Sequence, residues 1–151
     1  MSILVINSSM NRDGLTVSMV TDLLGQRDYG LCHLNDYQID QLGQVTGRDQ
    51  LAELMALMHQ YDTILFATPI YWFDMTGSMK LFLERVAEEN DWQHPSYPNH
   101  KAAILAQGYA PGAKVLKFVE HIISQVAGRL GMDYIGMVTK EEEYERLREL
   151  L

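Results

Sequence analysis

The chain has 151 residues, 47% hydrophobic and 21% charged, a balance that excludes a disordered or fibrous chain. Its net charge of −8, with 12 basic residues scattered along it, excludes a nucleic-acid partner, which requires clustered Lys and Arg against phosphate. Cys32 is the only cysteine, which excludes an internal disulfide and a multi-cysteine metal site.

No apolar run approaches the roughly 20 residues of a membrane span, and the start lacks a signal core. The expectation is a single cytoplasmic domain over residues 1–151 with no membrane partner. In chain order, residues 3–6 are a run of four apolar residues that reads as a first buried strand. The polar segment from Asn7 to Gly14 leads into a helix with Leu15, Met19, Leu23, Val20 and Leu24 at helical spacing. Residues 29–34 form a weaker second strand, with Leu31 and Cys32 as its buried part. A helix over 49–60 follows from Leu51, Leu54, Met55 and Met58.

Ile64, Leu65, Phe66 and Ala67 form a continuous apolar run, the signature of a strand covered on both faces. Pro69 ends it for want of an N–H. A third helix carries Met79, Phe82, Leu83 and Val86 inward. Residues 88–101, with Trp92 and Tyr97, read as a surface excursion. A fourth strand over 102–106 precedes a helix with Val115, Val119, Ile122, Val126 and Leu130 on one face, beside Leu116 and Ile123, which Gly131 ends. Residues 134–138 give a fifth strand. A last helix over 141–151 turns Tyr144, Leu147 and Leu151 inward, with Glu141, Glu142 and Glu143 in its first turn.

Strand and helix alternate five times, so the expected fold is α/β: a five-stranded parallel sheet of order 2-1-3-4-5 with helices on both faces. That order places a ligand at the switch between the first and third strands. Two loops meet there. One carries Ser8, Ser9, Asn11 and Thr16 as hydrogen-bond donors before a helix, an anion-binding arrangement; capping by Ser9, Asp13 or Thr16 is the plainer alternative. The other, Pro69-Ile70-Tyr71-Trp72-Phe73, brings three consecutive aromatics to a strand's carboxyl end. Gly108 and Tyr109 repeat the theme after the fourth strand. Neither a Walker A loop nor GxGxxG is present.

The segment Thr68-Pro69-Ile70-Tyr71-Trp72, with Met75-Thr76-Gly77-Ser78-Met79-Lys80 and Phe82-Leu83-Glu84-Arg85, resembles the flavodoxin-like NAD(P)H-dependent FMN oxidoreductases. Glu84 stands where that family usually has Asp. Ser8 to Thr16 is similar to the family's phosphate loop, with Ser8 in place of a frequent Gly, Asn11 of Arg and Leu15 of a polar residue. The resemblance implies a flavodoxin-like three-layer sandwich, FMN as cofactor and NAD(P)H as co-substrate. It implies phosphate contacts from Ser8, Ser9, Asn11 and Thr16, and ring contacts from Pro69, Ile70, Tyr71, Trp72, Phe73, Gly108 and Tyr109. Tyr71, Trp72, Tyr109 and Trp92 would shape the acceptor pocket.

The implied function is hydride transfer from the nicotinamide through FMN to a quinone, a nitro or azo compound, or another flavin. No acid or base side chain is required, because the cofactor carries the chemistry. Family habit implies a homodimer. A flavodoxin-type electron carrier and a flavin-free binding module on the same fold are the alternatives. The five histidines show no metal-ligand spacing. Cys32 and His33, as strand neighbours, point to opposite faces.

Overall fold

The structure, a computed structural model, describes residues 1–91 and 93–151. Strands β1 (Ile3–Asn7), β2 (Tyr29–His33), β3 (Thr63–Pro69), β4 (Lys101–Gln107) and β5 (Asp133–Val138) alternate with α1 (Leu15–Leu24), α2 (Leu51–Met58), α3 (Gly77–Glu88), α4 (Ala113–Arg129) and α5 (Tyr144–Leu150). All five strands are parallel in the order β2-β1-β3-β4-β5, the flavodoxin-like arrangement.

The continuous apolar runs of β1, β3 and β4 are explained by the layers on either side of them. One face of the sheet, with Leu4, Ile6, Ile64, Phe66 and Ile104, packs under α2, α3 and α4. The other, with Ile3, Val5, Leu65, Ala103 and Leu105, packs under α1 and α5. A strand buried on both faces has no position for a polar side chain until it reaches its end. The polar residues of β1 and β4 therefore stand at the strand ends, Asn7 where β1 stops and Lys101 and Gln107 at the start and stop of β4.

Helix α4 closes as expected at Gly131, whose φ of +85° suits glycine. Gly131 N–H donates to Gly128 O at 3.1 Å and Met132 N–H to Ala127 O at 2.9 Å, a Schellman motif that satisfies the last carbonyls.

Several expectations are corrected. Leu31 is exposed, since alternate side chains of the edge strand β2 face opposite ways and only Cys32 turns inward. Leu15 is 61% exposed at the open end of α1. Residues 141–143 form a 3-10 turn, and α5 begins at Tyr144. Val115, Ile122 and Val126 are only half-buried, because α4 seats Val119, Ile123 and Ala127 against the sheet.

The segment 88–101 is no mere surface excursion. Tyr97 is fully buried, its hydroxyl donates to Met55 O at 3.1 Å, and its N–H donates to Leu130 O at 2.8 Å. His59 stacks on its ring at 4.3 Å. Burial pushes the Tyr97 phenol up. Trp92 lies outside the described residues.

No helix among the described residues is long and apolar enough to cross a membrane. None of their His, Cys, Asp and Glu side chains form a group of three or more able to hold a metal.

Candidate functional site

The loops after β1, β3 and β4 share one end of the sheet, because β3 pairs with both of its neighbours in parallel register up to that edge. The loop after β1 is pinned to β3 at once: Ser8 N–H donates to Ala67 O at 2.9 Å. The Ser8 hydroxyl donates to the same carbonyl at 3.3 Å, so its proton is directed into the sheet. Ser9 differs. Its N–H donates to Asn7 Oδ1 at 3.0 Å, and its hydroxyl oxygen accepts from Asn11 N–H at 3.2 Å. Among the described residues the Ser9 hydroxyl proton has no acceptor and remains available to a ligand.

Thr16, in the first turn of α1 and 1% exposed, has the same property. Gln107 Nε2, at the end of β4, donates to Thr16 Oγ1 at 2.9 Å, filling a lone pair of the hydroxyl and leaving its proton to point elsewhere. The N-cap of α1 is Gly14, with no side-chain cap. Capping by Ser9, Asp13 or Thr16 is thereby corrected. The first-turn N–H groups lack intrahelical acceptors and carry the positive end of the helix dipole. Two buried hydroxyls and an uncapped helix start make a cradle for an oxyanion. Asn11 is exposed beside it. Arg12 is engaged by Asp36 in an ion pair.

Pro69 closes β3, and the ladder continues one bond further as Ile70 N–H donates to Gln107 O at 2.7 Å. This joins the second loop to the third. Gly108 suits this close approach: a Cβ on it would lie 3.0 Å from Ile70 Cβ and 3.3 Å from Ile70 O, so a side chain there would push Ile70 aside by a few tenths of an ångström.

Residues 71–74 then form a tight turn, with Tyr71 N–H donating to Asp74 O at 2.9 Å and Asp74 N–H to Tyr71 O at 3.3 Å. Trp72 at φ 50° and Phe73 at φ 71° occupy its two corners, positions that ordinarily take Asn and Gly. The conformation costs roughly 1–3 kcal/mol per residue. It throws both rings outward, Trp72 92% and Phe73 78% exposed. Tyr109 is fully exposed on the third loop. Below the turn, Thr76 caps α3 by accepting from Met79 N–H at 3.2 Å.

Between the second and third loops lies a hollow of about 410 Å³, lined by Ile70, Trp72, Phe73, Tyr109, Pro111 and Val115 among others. Met10 joins Ile70, Tyr71 and Trp72 on the other side of the aromatic loop. The structure thus gathers Ser9, Asn11, Thr16, Ile70, Tyr71, Trp72, Phe73, Gly108 and Tyr109 along one edge, while Ser8 and Pro69 are turned into the fold.

Sequence reading missed Asn7 and Gln107. Each is a lone amide closing an apolar strand, and that position was the available signal. Cys32 is buried, and burial pushes its thiol up to about 11, away from nucleophilic use.

The model of the NADPH-dependent FMN reductase family matches residues 1–139. A Bacillus subtilis protein carrying the name NAD(P)H-dependent FMN-containing oxidoreductase YwqN is 28% identical over 160 residues, covering 93% of this chain and 85% of that protein. The structure of the Trp repressor binding protein from Bacillus subtilis superposes with a TM-score of 0.68 at 23% identity, covering 97% of this chain and 93% of that one. An FMN-dependent NADH-azoreductase from Bacillus anthracis, solved with FMN, gives a TM-score of 0.67 at 11% identity over 99% and 97% of the two chains.

The oxyanion cradle and the ring-lined hollow at one sheet edge fit the two ends of such a cofactor. The chain belongs to the NADPH-dependent FMN reductase family, with FMN as its cofactor.

Proposed function

We propose that the three loops form one flavin cradle in an NAD(P)H-dependent FMN oxidoreductase whose acceptor is a planar, largely apolar molecule: a quinone, a nitro or azo compound, or a second flavin. One observation carries this reading. Two hydroxyls with uncommitted protons and an apolar, aromatic-rimmed hollow converge at the carboxyl ends of β1, β3 and β4.

Bound FMN would supply hydride acceptance from the nicotinamide and hydride donation to the acceptor. Ser9 and Thr16 would hold the phosphate by donated hydrogen bonds, with Asn11 at its outer side and the α1 dipole favouring its charge. Backbone N–H groups of Trp72 and Phe73, those of Ile70 and Tyr71 being taken by Gln107 O and Asp74 O, would face the pyrimidine side of the ring, where fixed dipoles favour negative charge. Tyr71, Trp72, Phe73 and Tyr109 would flank the ring and exclude water from the stacked nicotinamide or acceptor. A planar apolar acceptor suits the lining, which among its eight residues has no charged side chain.

We also place the working unit as a single domain over residues 1–151 that pairs with a second copy. Support comes from the adjoining faces of α3 and α4. A hollow of about 300 Å³ there is lined by Leu83, Ala87, Ile122 and Val126, with the ion-paired Lys80 and Glu84 and also Glu88 on α3, and Arg129 on α4. A two-fold axis through this face would set the apolar lining of one copy against that of the other. The single buried Cys32 suits a reducing, cytoplasmic setting.

The test is a visible spectrum of purified protein loaded with FMN and freed of excess, followed anaerobically by NADPH and then by each acceptor class. Bound flavin that bleaches with nicotinamide and recovers with one acceptor class identifies that class. Flavin that stays oxidised would indicate an electron carrier, and protein that retains no FMN would overturn the cradle.

A further inference from the structure

Asn7 is the last residue of β1, fully buried, and paired in register with His33, the last residue of β2. Its Oδ1 accepts from Ser9 N–H at 3.0 Å. A backbone N–H can only donate, so this contact fixes which way the Asn7 amide faces. Nδ2 then lies 3.1 Å from His33 Nδ1, and because Nδ2 can only donate, Nδ1 must accept and the ring proton must sit on Nε2. A directed chain of hydrogen bonds thus runs from His33 through Asn7 to Ser9 N–H, and the Ser9 hydroxyl in turn holds Asn11 N–H. Asn35 Nδ2, two residues beyond His33, donates to Ser9 O at 3.4 Å and ties the same turn to the loop.

We infer that His33 is a positioning residue for the phosphate end of the flavin site: its neutral form, acting through Asn7, holds Ser9 in place, and its protonation releases the loop. This rests on the assignment of Ser9 and Thr16 to the FMN phosphate. A proton on Nδ1 would set two donors face to face across 3.1 Å. The ring must then turn away, or the Asn7 amide must flip and present its NH2 to Ser9 N–H. Either change removes an acceptor from a buried network, where an unmet donor is costly.

His33 faces a cavity of about 400 Å³, with Arg12 from the β1 loop, Cys32 from β2, Asp36 and Tyr37 from the turn after β2, and Glu53 from α2. Arg12 and Asp36 are paired with each other. Burial pushes the Cys32 thiol up to about 11, and the Tyr37 phenol is also raised, first by burial. Both stay uncharged near neutrality. An imidazole is the one type of side chain in this set that ordinarily changes charge between pH 5 and 8.

The experiment measures dissociation constants of FMN and of riboflavin, which lacks the phosphate, at mildly acidic and neutral pH. The proteins are the native chain, His33→Gln and His33→Leu, each checked for native circular dichroism. Gln offers an acceptor to Asn7 at both pH values; Leu offers none at either. The second ionisation of the FMN phosphate, near pH 6, acts on all three proteins and cancels in their ratios.

The expected result is an acid loss of FMN affinity in the native protein about fivefold greater than in His33→Gln, the size of one net hydrogen bond. His33→Leu should bind FMN weakly already at neutral pH, and riboflavin should show none of these differences. Equal acid loss in native protein and His33→Gln, or a smaller loss in the native protein from attraction of the imidazolium to phosphate, would overturn the inference and leave the phosphate assignment intact. If FMN binds no more tightly than riboflavin to the native protein at neutral pH, the phosphate assignment fails and the inference falls with it.

Discussion

Thr16 is a donor because Gln107 makes it one: the amide fills a lone pair on the hydroxyl and leaves its proton to a ligand. Ser9 is prepared in the same way by Asn11 N–H. Replacing either with Ala should weaken FMN by about 1.5–3 kcal/mol, the scale of a hydrogen bond to a charged group, tenfold or more in dissociation constant by flavin fluorescence. Riboflavin binding should barely change.

Trp72 and Phe73 pose the opposite balance, since each sits at positive φ. Trp72→Gly or Phe73→Gly should raise resistance to urea by about 1 kcal/mol through relief of strain, while lowering turnover with an aromatic acceptor. Unchanged stability in both variants would show that the turn is not strained. The residues we propose to contact the flavin were legible in the sequence because their types are unusual for their loops. Asn7 and Gln107 were not, since one amide at a strand end looks like any other until the sheet register brings it to a partner.

Arg85 shows what one side chain does for an entire connection. It is 2% exposed on α3, donates to Asp49 Oδ1 at 2.8 Å and Oδ2 at 3.1 Å, and also donates to Asp40 O at 2.7 Å. Asp49 in turn accepts from Asp40 N–H at 2.7 Å, so the long connection between β2 and α2 is folded around this guanidinium. Arg85→Met or Asp49→Asn should cost about 3–5 kcal/mol, because each leaves a buried polar partner unmet; denaturant titration measures it.

The Arg85 hydrogen bonds hold the Asp49 carboxyl below its ordinary value of 3.8 against the opposing effect of burial. Its contribution to stability is therefore complete above about pH 4 and is lost as pH falls through the depressed folded value. Asp49→Asn should lack that part of the acid transition. Elements with a strong period, β1, β3 and α3, were legible because both-face burial and one-face burial leave different spacings. The 88–101 segment was not: Asn, His and Pro read as loop, and only the tertiary contacts of Tyr97 with α2 and Leu130 pull it into the core.

At the scale of the whole molecule, five alternations of strand and helix were enough to specify the sheet order, since right-handed crossovers leave few ways to wind them. The number of copies in solution was not written so directly. Sedimentation should give a dimer, and Ile122→Asp with Val126→Asp should shift it toward monomer by placing charges on the apolar lining of this face. A monomer under all conditions would remove the α3–α4 face as a contact.

Every loop of the site lies at the carboxyl edge of the sheet, whereas Ser2 and Leu150 are fastened at the other. Ser2 N–H donates to Asp62 at 2.6 Å beside the start of β3, and Lys101 Nζ, at the start of β4, donates to Leu150 O at 2.7 Å. A polypeptide or surface tether joined beside Ser2 or Leu150 would emerge on the far side from the aromatic loop. The protein could thus be anchored to an electrode or fused to a nicotinamide-regenerating enzyme with its redox face turned toward the solution.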